Sequence, residues 1–302
     1  MSWQYFTGRH FAHEPPMRIK RAYSVTADVL AYKTCPTQYG AFRARKYEPA
    51  TVPQLFWGTA IHQVLDMAHA HYRGLIGPKI PGSLPTDTHI EEYFSDVERA
   101  LRARQIGVMK NIRDQAKELV LRFNRLEGPT LYPKVMDTEC RLEADQGPYV
   151  LQGTVDVIRL DDEDSSRVEI WDYKGTERPS RSSPQYALYE YQMQVYAELY
   201  RRKTGVTPAS VALYFLNELR GEPAPTTRPV NAVMRMTLDP NQVAHAIADF
   251  SQTVQEIETN KAGRSWPRPA HVPDIKTCNG CDLRWKCPAR ADAYGVPEMV
   301  YP

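Results

Sequence analysis

The chain has 302 residues, 42% of them hydrophobic, with 38 basic and 36 acidic side chains for a formal net charge of +2. That content excludes a disordered polyampholyte and supports a buried core in one large domain or a domain with elaborations. The near-zero balance means that bulk charge does not announce nucleic-acid binding, and no apolar run approaches the roughly 20 residues needed to cross a bilayer.

The N-terminus, Met1-Ser2-Trp3-Gln4-Tyr5, lacks a basic-then-apolar signal pattern, so a cytoplasmic protein is expected. Residues 24–47 read as two short helices, opening near Ser24 or Thr26 as N-cap, with Cys35-Pro36 at their junction. A helical stripe of Ile61, Val64, Leu65 and Ala68 follows between Gly58 and Tyr72. After the loop at 77–82, a charged helical region spans Thr88 to Leu126. Gly107 is a candidate break within it, and Gly128-Pro129 is its expected end.

Strand patterns come next at 132–143, 148–160 and 167–174, then a helix over 185–203. The run Arg201-Arg202-Lys203 reads as a solvated helix face before it reads as a phosphate contact. A strand from Ser210 to Leu216, a Pro-rich loop and one more strand precede Asp239-Pro240, an N-cap with proline at the first helical position. Val243, Ile247, Phe250, Val254 and Ile257 then form a buried stripe. This order predicts a mixed α/β core with a helical N-terminal elaboration. The expected regions are 1–130, helical and carrying Cys35 and His62; 131–262, the core; and 263–302, a cysteine-rich region packed with Cys35.

The chemistry concentrates in two strands, Gly153-Thr154-Val155-Asp156-Val157-Ile158 and Val168-Glu169-Ile170-Trp171-Asp172-Tyr173-Lys174. Alternation puts Asp172 and Lys174 on one face and turns Trp171 and Tyr173 away from it. A hairpin through Asp161 to Arg167 would bring Asp156 alongside. Two carboxylates and an ammonium on one patch can hold a hard divalent cation with a lysine beside it. The plain structural alternative is an Asp156–Lys174 ion pair. His62 interrupts an otherwise apolar helix start, and Gln192 and Tyr196 share a helix face at a spacing of four.

Taken in order, His62, Gly153-Thr154-Val155-Asp156, Trp171-Asp172-Tyr173-Lys174 and Gln192-Met193-Gln194-Val195-Tyr196 resemble the PD-(D/E)XK nucleases. The resemblance covers residues 22–290 and points to the RecB-like branch, which includes the iron–sulfur exonucleases associated with CRISPR adaptation. It implies a restriction-endonuclease-like mixed central sheet flanked by helices, and a DNA exonuclease dependent on Mg²⁺ or Mn²⁺. On it, Asp156, Asp172, His62 and the Tyr173 carbonyl bind metal, Lys174 orients water or stabilises charge, and Gln192 and Tyr196 hold Lys174 and the DNA. One departure stands out: the family often has Thr or Ser after the motif lysine, and this chain has Gly175 and then Thr176.

Three of the five cysteines, Cys278, Cys281 and Cys287, lie within ten residues, and Cys35 can supply a fourth thiolate. Spacing alone admits zinc or an iron–sulfur cluster. The resemblance implies a [4Fe–4S] cluster that staples the two ends of the chain, while Cys140 is expected to be a buried small hydrophobe. Tyr189, Tyr191 and Trp266 are candidates for base stacking. The resemblance implies DNA as the partner; no Gly-x-x-x-x-Gly-Lys-[Ser/Thr] sequence is present, so the chain shows no ATP-driven motor of its own, and any helicase or recombination partner would be supplied separately. Spacer processing, recombination, repair and phage DNA metabolism are the settings implied. A non-catalytic DNA-binding subunit and a zinc-stapled nuclease are the alternatives.

Overall fold

The computed structural model describes residues 20–44, 53–287 and 289, so the expectations for the extreme N-terminus, for 45–47 and for the end of the cysteine region lie outside the described residues. Asp161 to Arg167 turns as its polar composition predicts, closed by the Asp161 amide donating to the Arg167 carbonyl at 3.0 Å. The strands it joins, β3 (Val150–Leu160) and β4 (Val168–Lys174), run antiparallel with Val157 opposite Trp171. They form the centre of a mixed six-stranded sheet. β2 (Val135–Asp145) covers one edge of β3, β4 pairs in parallel with β5 (Ser210–Phe215), and β6 (Val233–Met236) closes the far side antiparallel to β5.

The other edge of β3 is shared. The short strand β1 (Ala22–Ser24) pairs in parallel with residues 150–152, and β4 takes over at 157–160. Asp156 falls between them. Strand β1 was not predicted: three residues carry no readable period, and its partner lies more than a hundred residues away.

Both faces of the sheet are covered. On one, α3 (Pro53–Tyr72), α4 (Asp87–Ala103) and α5 (Lys110–Leu131) pack over Val157, Trp171, Tyr173 and Tyr214. On the other, α6 (Pro184–Thr204) and α7 (Pro240–Gly263) pack over Ile170, Val211, Leu213 and Phe215, joined by the helical turns between Val25 and Ala44, which include the short helices α1 (Ala31–Thr34) and α2 (Pro36–Tyr39). Trp171 and Tyr173 are buried, as the alternation requires.

Local signals set most helix starts. The Ser24 side chain accepts from the Ala27 amide, Ser183 from Gln185, and Asp239 from Asn241. Along α7, Phe250, Val254 and Ile257 are buried, whereas Val243 and Ile247 are only partly covered, because they line an open recess shared with Ala197 and Arg201 of α6. Two helix boundaries differ from expectation: α3 starts at Pro53, ahead of Gly58, and α5 runs through Gly128-Pro129 to Leu131. The Tyr132 ring lies over Gly128, where a Cβ would come within 2.9 Å of it, and this packing carries the last turn past the proline.

The C-terminal segment folds back on the N-terminal turns. Trp266 packs on Tyr32, Tyr39 and the bare Cα of Gly40, and the Thr37 hydroxyl donates to the Pro267 carbonyl at 3.0 Å. Among the described residues, no helix is long and apolar enough to cross a membrane.

Candidate active site

The β3–β4 seam is reached by both helical layers: His62 from α3 on one side and Gln192 from α6 on the other. His62 Nδ1 lies 3.3 Å from Asp156 Oδ2, and that same oxygen accepts the Tyr173 backbone N–H at 2.6 Å. Lys174 Nζ is 2.5 Å from Asp172 Oδ2 and donates to Gln192 Oε1 at 3.0 Å. Gln192 Nε2 in turn donates to Asp172 Oδ1 at 2.9 Å. Lys174 is thus paired with Asp172 rather than with Asp156, which corrects the plain ion-pair alternative. The amide side chain of Gln192 bridges the lysine and the carboxylate, fixing both.

Tyr196 is only 2% exposed. Its ring lies against Gly153, where a Cβ would come within 2.6 Å of it, so the glycine lets α6 approach β3 closely. Tyr196 therefore stands behind the carboxylates and is shielded from solvent. At Tyr173 it is the amide that is seen at Asp156; its phenol turns into the opposite core and meets His69 Nε2 at 3.0 Å.

One participant was not read from the sequence. Glu139, on β2, sits across from Asp156 in the register that runs through Thr138–Val157 and Cys140–Val155. Its carboxylate, His62 and Asp156 place ligand atoms within 4.8 Å of one another. Glu139 also has a backbone φ of +48°, in the left-handed region that costs a non-glycine residue roughly 1–3 kcal/mol. A single glutamate in an alternating strand looks like any solvent-facing residue, so only the cross-strand register could have exposed it. The recess beside it is bordered by Gly58, Thr59, Gln63 and Asp66, and Asp66 is held by the Thr138 hydroxyl at 2.6 Å.

The electrostatics follow from crowding acids with few cations. Burial raises the Asp172 carboxyl, and the Asp156 charge adds to this against the pull of Lys174, leaving it at about 6. Burial also opposes ionisation of Asp156, but the His62 charge and the hydrogen bonds from His62 and Tyr173 hold it below the ordinary carboxylate range. Burial would lower His62, yet the Asp156 carboxylate lifts it to about 9. Crowding by surrounding protein and the Asp156 charge push Glu139 up to about 7. Lys174 stays charged: burial disfavours its ammonium, and Asp172 more than offsets this.

A divalent cation would relieve this crowding, and the residues present fit one. The donors are carboxylate oxygens and one imidazole nitrogen, a set that suits a divalent cation. Asp172 Oδ2 is buried and, although close to the Lys174 ammonium, has no partner in hydrogen-bonding geometry. Because these groups are protonated or shared without a cation, binding one would release protons.

The position after Lys174 also has a physical account. Trp57 Nε1 donates to the Gly175 carbonyl at 2.9 Å, and a Cβ on Gly175 would come within 2.9 Å of the Trp57 ring. The indole occupies the space where a serine or threonine side chain would stand.

The four clustered thiols converge. Cys35, Cys278, Cys281 and Cys287 line one recess with Gln38 and Arg284, and none of them is in a disulfide. Burial raises Cys35 and Cys281, and neighbouring cysteines in the group add to this. Such a donor set, all sulfur, fits a thiophilic metal or cluster. Cys140 is 8% exposed and stands apart on β2, as expected of a small hydrophobe.

The stacking candidates separate. Tyr189 lies beside the site with Lys174 Nζ 5.1 Å from its ring centroid; Tyr191 lies under Lys33; and Trp266 is engaged in packing. Arg201 and Arg202 both close on Glu198, so that pair belongs to the helix surface.

A mixed sheet bearing an acidic, lysine-containing seam between two helical layers defines a metal-dependent nuclease architecture. The family model described as the PD-(D/E)XK nuclease superfamily matches residues 24–288, and the chain belongs to that superfamily. No curated protein sequence matches the chain. Among solved structures, it is similar to a protein from Eubacterium rectale designated "Putative exonuclease", with 16% identity, a TM-score of 0.50 and coverage of 92% of this chain and 93% of that one. A second structure, SSO0001, aligns at 15% identity with a TM-score of 0.37 over 93% and 90% of the two chains, too loosely to bear on the fold.

Proposed function

We propose that this protein is a DNA exonuclease dependent on Mg²⁺ or Mn²⁺, of the RecB-like branch and resembling the CRISPR-associated iron–sulfur exonucleases. The observation that carries the reading is the Lys174–Gln192–Asp172 triangle on the seam beside the His62–Asp156 pair, where Glu139 joins His62 and Asp156 as a third ligand group. Asp156, Asp172, His62 and Glu139 would hold the cation, and the Tyr173 carbonyl remains a candidate ligand. When bound, the cation supplies charge neutralisation at the phosphate and an acidified water. Lys174, fixed by Gln192 and Asp172, presents its ammonium to the charge that develops on the phosphoryl oxygens. Tyr196 braces β3 behind Asp156.

Action at strand ends is supported by the designation of the Eubacterium rectale protein and by the sequence resemblance. On this reading residues 131–262 carry the nuclease core, residues 1–130 contribute His62 and Cys35, and residues 263–302 supply the other cysteines. Cys35, Cys278, Cys281 and Cys287 would hold a [4Fe–4S] cluster, for which the all-thiol recess and the resemblance are the support. The settings this fits are recombination, repair, phage DNA metabolism and CRISPR spacer processing, alongside a separate helicase where unwinding is needed.

The test is digestion of end-labelled single- and double-stranded oligonucleotides and closed circular DNA with Mg²⁺ or Mn²⁺, beside an Asp172→Ala protein. Loss of label from linear DNA only, absent in the variant, is the expected result. Equal inertness of both proteins on every DNA would overturn catalysis, and cleavage of closed circles at the same rate would overturn the end requirement. Protein purified without oxygen should be brown and contain iron; a colourless protein with stoichiometric zinc would reject the iron–sulfur assignment.

A further inference from the structure

Among the described residues many arginines are committed to carboxylates: Arg73, Arg113, Arg122, Arg125, Arg228 and Arg235 each close an ion pair. Arg220 is an exception. It is exposed, and among the described residues its guanidinium meets no carboxylate. It is nonetheless held firmly. Its guanidinium carbon lies 4.5 Å from the centroid of the Trp57 ring, a stacking that fixes the plane of the cation.

The backbone is fixed independently. Arg122, from α5, donates to the carbonyls on both sides of Arg220, Leu219 at 3.1 Å and Gly221 at 2.7 Å, and its other nitrogen reaches Glu222 at 2.6 Å. The Arg220 amide donates to the Asn217 carbonyl at 3.1 Å. Glu222 and Glu218, the nearest acids in sequence, are both occupied: Glu222 by Arg122 and Glu218 by the Arg178 amide at 2.9 Å. A solvated arginine normally keeps its rotamer freedom or finds an acid; this one is pre-ordered, and among the described residues its donors meet no acceptor.

Its place in the fold gives the arrangement meaning. The same Trp57 ring donates to the carbonyl of Gly175, the residue after Lys174, and packs on its bare Cα. Lys174 lies opposite Phe215 on β5, and Arg220 follows at the end of the turn leaving that strand. One indole therefore separates the free guanidinium from the peptide next to the catalytic lysine. A planar, permanently charged fork with unpaired donors suits a phosphodiester, and holding it in advance reduces the ordering cost of binding.

We propose that Arg220, stacked on Trp57, is a positioning residue that binds a DNA backbone phosphate neighbouring the one cleaved at the Asp156–Asp172–Lys174 seam. The assignment rests on the DNA-nuclease reading above. It is sequence-independent by its chemistry, since phosphate contacts set register and carry no base information. The site gathers Asp66, Glu139, Asp156 and Asp172, so a fixed cation at its edge offsets the repulsion met by a negatively charged strand.

The test measures binding of labelled oligonucleotides by fluorescence anisotropy with the full chain in Ca²⁺, at several salt concentrations between 50 and 200 mM. Arg220→Ala is expected to weaken binding about 10-fold on every sequence and to reduce the salt slope by about one, with Arg220→Lys keeping the slope. Arg99→Ala, a surface arginine paired with Asp96 on α4, serves as the control and should leave both unchanged. Thermal melts of each variant check folding, and a merely structural role would lower the melting temperature without altering the slope. Unchanged affinity and slope in Arg220→Ala, with wild type binding well, overturns this proposal alone. Failure of wild type to bind any DNA overturns the nuclease reading and this proposal with it.

Discussion

Lys174 and Glu139 show how differently two residues of one site are disclosed. Lys174 makes its contacts with Asp172, two positions away on its own strand, and with Gln192 on the next helix. Strand alternation puts Lys174 and Asp172 on one face, and the packing of α6 on the sheet brings Gln192 to both. Its removal should leave DNA binding intact while single-turnover cleavage falls by roughly 10²–10⁴-fold, because a transition-state contact is lost. Glu139 reaches the site only through strand pairing. Replacing it with alanine should raise the Mg²⁺ or Mn²⁺ concentration for half-maximal cleavage by about 10-fold or more, as measured by metal titration. A metal curve that does not move would remove Glu139 from the ligand set.

His69 is a buried histidine with a separate consequence. Burial, reinforced by Arg73, pushes it down to about 3, so it is neutral in the folded protein at neutral pH, beside the Tyr173 hydroxyl. In the unfolded chain it would titrate near 6.5. The unfolded state then binds more protons between those values, so stability is fully present above about pH 6.5 and falls as pH drops toward 3. The slope approaches about 1.4 kcal/mol per pH unit from this one group. Calorimetric melts from pH 7 to 5 should show a shallower decline for His69→Gln than for wild type.

At the scale of elements, two glycines set the distances between helices and sheet. Gly153 admits the Tyr196 ring from α6, and Gly175 admits the Trp57 ring from α3. Gly153→Ala should destabilise the fold by about 1–3 kcal/mol, since the Tyr196 ring must move from a packed position. Gly175→Ser would install the hydroxyl more usual after the motif lysine. It should lower activity rather than raise it, because Cβ would displace Trp57 and with it the peptide that follows Lys174. A gain in cleavage rate for Gly175→Ser would contradict this account. The elements themselves were largely legible: the Asp239-Pro240 start, the Ser24 cap and the β3–β4 turn rest on contacts among near neighbours. The passage of α5 through Pro129 and the existence of β1 depend on Tyr132 and on β3, which the local sequence does not display.

At the scale of the molecule, Cys35 and the 278–287 segment lie 243 residues apart and meet in one recess, with Trp266 packed on the N-terminal turns beside it. A ligated centre there would close a long loop, whose entropy rises only slowly with length, so thiolate bonds can outweigh it. Cys281→Ala should therefore lower folded yield and melting temperature, while the soluble fraction keeps the same dependence on Mg²⁺ or Mn²⁺. A variant of unchanged stability but no activity would oppose a stapling role.

By itself the sequence determined the strand alternation that sets Asp172 beside Lys174, the helical spacing that places Gln192 and Tyr196 on one face, and the grouping of three cysteines. Each is a relation between residues a few positions apart, where backbone geometry dictates direction. The tertiary structure decided that Glu139 faces Asp156, that Lys174 pairs with Asp172 through Gln192, that Trp57 fills the place of a missing side chain at Gly175, and that Arg220 lies over the same indole. Those are relations across strands and layers, and they exist only once the sheet has registered and the helices have packed.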